Sequence, residues 1–130
     1  MDFITDRTSA SIYGYEDLNR VETAVEAIGR ECATMGIEYY PVTKTDWALP
    51  GDFTPQSWPV HSQMVRYLDN VTRIKSLFPC AVPLPASMDR LNWISANNIE
   101  KVLKIAMEQI EGIKESYRYS GEVFAGEELI

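Results

Sequence analysis

The chain has 130 residues, 45% hydrophobic and 24% charged, the balance of a single soluble domain (1–130) with a core of its own. Its net charge of -7 argues against the basic face that phosphate binding needs, so no nucleic-acid partner is expected. No apolar run approaches a membrane span, and the opening "MDFITDRTSAS" carries Asp2 and Asp6 where a signal peptide would be apolar; synthesis in the cytoplasm and no membrane partner are expected.

The first predicted helix carries Leu18, Val21, Val25, Ile28, Cys32 and Met35 at alternating spacings of three and four, the seam of a helix packed on other helices. Asp17 reads as its N-cap, Glu16 and Glu22 complement the positive end of the helix dipole, and Gly36 reads as the stop, with Ile37 placed for the contact that follows a glycine stop. "IEYYPVTKT", residues 37–45, favours extended structure, with Pro41 confining any strand to a sheet edge. Residues 46–61 form a long loop in which Pro50, Gly51, Pro55 and Pro59 forbid a regular helix. Such a loop is a place to look for a binding surface.

A second helix is predicted from about Pro59 to Phe78, with Val60, Met64, Tyr67, Leu68, Val71, Ile74, Leu77 and Phe78 on its apolar face. Pro79 ends it, and "PCAVPLP" reads as a stiff extended crossover. The third and longest helix runs from Ser95, its expected cap, to Tyr119. Its seam is Ile99, Leu103, Ala106, Ile110, Ile113 and Tyr117, widened by Val102 and Ile105 so that it touches both other helices. Gly121 is the expected stop. The fold class is therefore mainly α: a three-helix bundle with long crossover loops. A small β element would lie across it if the two termini and residues 37–45 pair.

One phrase occurs twice. "YEDLNRVETAV", Tyr15–Val25, and "WISANNIEKVL", Trp93–Leu103, match in kind at most positions. Glu22 and Glu100 could face each other as metal ligands, but bundle metal sites also need Glu-x-x-His pairs, and the lone histidine, His61, has no such glutamate. The phrase reads better as helix-start chemistry. Asp17 and Ser95 align as caps, Tyr15 and Trp93 as aromatics before them, and Asn19 and Asn97 as side chains that fix the path of a neighbouring connector. His61 has no recognisable nucleophile partner and reads as a surface residue. Lys44 and Asp46 of "KTDW" could form a small polar site, but read better as the end of a strand and the start of a turn. Cys32 and Cys80 read as free thiols, since two distant cysteines make neither a disulfide framework nor a zinc site; a single disulfide between them is the alternative. Gly29 and Gly112 lie inside predicted helices, marking either close approach or exposed accidents. No catalytic residue, metal or cofactor is expected. The aromatics Trp47, Phe53 and Trp58 of the long loop are candidates for partner contact, or for a sugar; the alternative is that they cap the bundle end.

Taken in order, "FITDRT", "YEDLNRVE", "KTDW", "MVRYLDNV", "LPASMDRLNWISANNIEKVL" and "YRYSGEVFAGEE" resemble a module common in phage and prophage structural proteins of gut and other Gram-positive bacteria. The resemblance covers nearly the whole chain. It departs in the spacing after "ITDRT", where only Ser9–Gly14 precede the next motif. It implies a non-enzymatic virion building block related to tail, baseplate or fibre, with other virion proteins and further copies of itself as partners. The alternative is a small cytoplasmic prophage-encoded binding or regulatory module. The resemblance carries no catalytic residues. Phe3, Val123 and Phe124, near the two ends, join the aromatic loop as the expected assembly surfaces.

Overall fold

A computed structural model describes residues 3–9, 14–47, 61–89 and 91–128, with side chains as far as residue 116. Three helices follow in chain order: α1 (Tyr15–Thr34), α2 (His61–Leu77) and α3 (Trp93–Glu128). They pack against one another, with α3 lying on both α1 and α2. The seam residues Leu18, Val21, Val25, Ile28 and Cys32 of α1 are buried against Tyr67, Val71 and Ile74 of α2 and Ile99, Val102, Leu103, Ala106 and Ile110 of α3. Removal of this apolar area from water is the main favourable term of the fold.

The helix ends differ by a few positions from their sequence reading. Gly14, not Asp17, caps α1. Asp17 sits one turn in and its carboxylate reaches back to accept from the Gly14 N–H at 2.8 Å, the half of a capping box that a glycine cap allows. Likewise Asn92, not Ser95, opens α3: its side-chain oxygen accepts from the Ser95 N–H at 2.7 Å. Tyr15 and Trp93 are thus first-turn residues. Trp93 is 40% exposed rather than stapled down. At the far end of α1 the Ile37 N–H donates to the Cys32 carbonyl (2.8 Å) and Gly36 N–H to Ala33 (3.2 Å), with Gly36 at φ +76°. That is the Schellman stop, and only glycine takes this conformation without strain. Gly121 does not end α3, which continues to Glu128. One glycine costs a helix only about 1 kcal/mol relative to alanine and need not break it.

Among the described residues no strand forms, and the segment 37–47 runs extended along the bundle without a ladder partner. Side chains take the place of a neighbouring strand. The Val42 carbonyl accepts from Arg66 and Asn70, and the Lys44 and Trp47 N–H groups donate to α1. Tyr39 is buried and donates its hydroxyl to the Asn70 carbonyl at 2.9 Å.

Gly29 is where this segment comes closest to α1: a Cβ there would lie 2.9 Å from Pro41 Cγ and Cδ. Gly112 meets nothing within 4 Å. The two helical glycines therefore predict opposite outcomes. Gly112→Ala gains helix propensity and stabilises by about 0.5–1 kcal/mol. Gly29→Ala gains the same but must displace the proline ring, so overpacking of about 1–3 kcal/mol leaves a net loss. Urea midpoints of the two variants check both signs.

Candidate functional site

The repeated phrase builds two matched clasps. In the first, Asn97 and Glu100 stand three residues apart on one face of α3. Across that face lies the extended segment Phe3–Thr8. The Ile4 N–H donates to Glu100 Oε1 at 3.1 Å. Asn97 holds Arg7 by both main-chain groups, accepting from its N–H (2.9 Å) and donating to its carbonyl (3.1 Å). A primary amide has one acceptor and two donors, so it can substitute for a strand neighbour at a single residue.

The second clasp repeats this on α1. The Lys44 N–H donates to Glu22 Oε2 at 2.9 Å. Asn19 accepts from the Trp47 N–H and donates to the Trp47 carbonyl, both at 2.9 Å. The two held segments are themselves alike: "ITDR", Ile4–Arg7, and "KTDW", Lys44–Trp47. In each, the first residue's N–H goes to the glutamate and the fourth residue's main chain goes to the asparagine. The aspartates between, Asp6 and Asp46, stay exposed.

The fourth side chain closes each clasp. The Arg7 guanidinium donates to Glu100 Oε2, to Asp17 Oδ1 (2.7 Å) and to the Ile4 carbonyl (2.9 Å). The indole N–H of Trp47 donates to Glu22 Oε2 at 3.0 Å. A further arginine then pairs with each glutamate. Arg20 donates through Nε and Nη2 to Glu100, both at 2.8 Å, and also to Asp17. Arg66 of α2 donates to both oxygens of Glu22, at 2.7 and 3.0 Å. Both glutamates are wholly buried. An unpaired carboxylate in such a place would cost several kcal/mol, and two-pronged arginine contacts are the geometry that offsets it.

Asp17 is part of the same network. Burial alone would raise its pKa, but the Gly14 N–H and the Arg7 and Arg20 guanidinium groups outweigh that and hold it below the ordinary carboxylate range. A carboxylate whose folded pKa lies below its unfolded value adds stability above the unfolded value and loses it as pH falls through the folded one. Unfolding free energy is thus expected to drop as pH is lowered from about 4 towards the acid side. Asp17→Asn should flatten that part of the profile, as measured by denaturant titrations at a series of acid pH values.

Of the residues singled out by sequence, Asn19 and Asn97 form the clasps and Asp17 joins the first. Ser95 does not enter either. Trp47, grouped by sequence with the aromatic loop, is only 3% exposed, because the second clasp turns its ring inward. Lys44 lies over that ring, 5.1 Å from its centroid, and pairs with Asp46 at 2.7 Å. Phe3 is partly buried against the core. Phe53 and Trp58, and the side chains of Val123 and Phe124, lie outside the described residues. Cys32 is buried and Cys80 half-buried, both free. Among the described residues no group of three or more His, Cys, Asp or Glu is placed to hold a metal ion. Nor is any helix there long and apolar enough to cross a membrane.

Sequence reasoning missed Arg7, Arg20 and Arg66 as partners of the buried glutamates. The signal that could have found Arg7 is the parallel between "ITDR" and "KTDW", set beside the parallel between "NNIE" and "NRVE".

Among the described residues, depressions also lie away from the clasps. His61 lines a 60 Å³ pocket with Met64, Leu68, Asp69 and Ser87. An open groove of 400 Å³ runs between Glu26 and Arg30 of α1 and Tyr39–Pro41. Beside it, Tyr40 and Val42 are 79% and 69% exposed.

No protein-family model, curated protein or solved structure matches the chain.

Proposed function

We propose that this chain is a non-enzymatic, phage- or prophage-derived structural or assembly protein of a tail, baseplate or fibre, acting through protein–protein contacts. The observation that supports this reading is that five of the six motifs carrying the resemblance supply the residues of the two clasps. "FITDRT" and "KTDW" are the held segments. "DLNRVE" and "NNIE" are the holding faces, and "MVRYLDNV" supplies Arg66. A motif set that fastens chain to helix suits a module whose task is to hold a shape and offer surfaces. The exposed Tyr40, Val42, Val65, Trp93 and Ile94 are apolar surface of the kind that interfaces use.

The test is mass spectrometry of particles purified from an induced source strain. Peptides from this chain at a level comparable with tail proteins are the expected result. Absence from particles, with presence in the host lysate, overturns the virion reading.

A further inference from the structure

We propose that two copies of this chain pair through the far end of α3, with the last turns of the two helices antiparallel about a two-fold axis at Gly121. This rests on the assembly reading and deepens it by naming one contact. The two fail separately, since the presence of the chain in particles does not depend on how its copies join.

The first observation is where the helices stop. α1 and α3 run in the same direction: Arg20 meets Glu100 near their starts, and Glu31 lies 3.4 Å from Lys114 near their ends. α1 stops at Thr34, just past that pair. α2 stops at Leu77, and the Pro79 carbonyl that follows accepts from Gln109 at 3.2 Å. α3 continues to Glu128. Residues 118–128 thus carry the helix about 16 Å past the ends of both described neighbours. A helical stretch that short is marginal in water without a packed face, and Gly121 and Gly126 weaken it further. A second helix laid along it supplies that face.

The second observation is the order of charge along the register. The seam of α3 alternates heptad a and d positions through Leu103, Ala106, Ile110 and Ile113, and the same count continues through Tyr117, Ser120, Phe124 and Glu127. Lys114, Gly121 and Glu128 then share the e register along one flank of the seam, seven residues apart. In an antiparallel pair, e positions meet e positions. Centred on Gly121, such a pair brings each Lys114 to the other copy's Glu128 and each Gly121 to its own counterpart. A parallel pair would bring Lys114 to Lys114 and Glu128 to Glu128. Antiparallel pairing also sets the two helix dipoles against each other. Glu115 and Glu122 share the f register, opposite the seam, and Arg118 takes a b position. The Lys114 side chain is 48% exposed, and its contacts with Glu31 and Glu111, at 3.4 and 3.7 Å, are surface pairs of small worth. So the stretch is complementary to itself and needs no other partner to match its charges. The overlap is short, so the dimer is weak and forms where copies are concentrated, as in an assembling particle.

Sedimentation equilibrium of the full chain tests this. Wild type is expected to dimerise as its concentration rises towards about 1 mM. Lys114→Glu and Glu128→Lys each oppose like charges at both ends of the pair, and each should weaken the dimer about tenfold. The chain carrying both changes should return to within about threefold of wild type, because the two contacts are rebuilt with the signs exchanged. Circular dichroism establishes that each variant keeps its helices. A wild-type chain that stays monomeric throughout overturns the proposal. So does a double variant that dimerises no better than either single one, since only the antiparallel register rebuilds both contacts.

Discussion

Glu100→Ala is expected to lower the unfolding free energy by about 3–5 kcal/mol, the cost of breaking a buried ion pair from one side. The carboxylate is wholly buried and accepts from the Ile4 N–H, from Arg7 and twice from Arg20. Its removal takes one of the two described carboxylates from the Arg7 guanidinium, whose side chain is only 4% exposed; the other is Asp17. Against a typical total of about 5–15 kcal/mol for a domain, such a loss is large. Glu100→Gln keeps the shape and an acceptor for Ile4 but not the charge, so it should recover only part of the loss. Asn97→Ala removes a neutral partner and leaves the Arg7 main chain without that amide, a smaller loss of about 1–3 kcal/mol. Chemical denaturation of the three variants gives the order. A double-mutant cycle between Arg7 and Glu100 then isolates their coupling. A Glu100→Ala midpoint equal to wild type would mean that the carboxylate is solvated, against the geometry described.

Trp47→Ala should cost a similar amount, about 3–5 kcal/mol, by leaving a cavity the size of an indole in the core. Trp47 is 3% exposed and belongs to the same apolar cluster as the helix seams. Trp47→Phe separates packing from hydrogen bonding. It keeps most of the apolar bulk but loses the N–H that donates to Glu22, while Arg66 and the Lys44 N–H remain on that carboxylate. Its expected loss is nearer 1–2 kcal/mol. Thermal unfolding followed by far-UV circular dichroism measures both. If Trp47 were a contact residue for a partner, Trp47→Ala would leave stability unchanged and weaken association only.

Trp47 also marks the boundary of what could be read from sequence. The helix seams were legible because apolar residues at alternating spacings of three and four point to one side of a helix whatever lies opposite. Leu18, Val21, Val25, Ile28, Ile99, Leu103 and Ile110 are all buried. The glycine stop of α1 was legible too, since Gly36 and Ile37 satisfy a local rule. The caps were displaced because several residues near each helix start can cap. Asn92 and Gly14 took the positions that Ser95 and Asp17 could also have filled. The inward turn of Trp47 was not legible, because it depends on Asn19 and Glu22, more than twenty residues earlier in the chain. The doubled phrase was plain in the sequence. What each copy holds was not, since Arg7 lies 90 positions from Asn97 and no local pattern joins them.

The unequal spans of the two clasps set a timetable for the growing chain. Lys44 follows Glu22 by 22 positions, so at roughly 5–20 residues per second that clasp has both halves within a few seconds of each other. Ile4 precedes Glu100 by 96 positions, and its segment waits roughly 5–20 s for the helix that fastens it. Until then, the Phe3–Thr8 tether hangs free of its anchor, and unanchored extended chain is what proteases cut first. A nascent chain stalled before Asn97 therefore leaves Phe3–Thr8 open to attack, whereas a chain carried past Glu100 withdraws the same stretch.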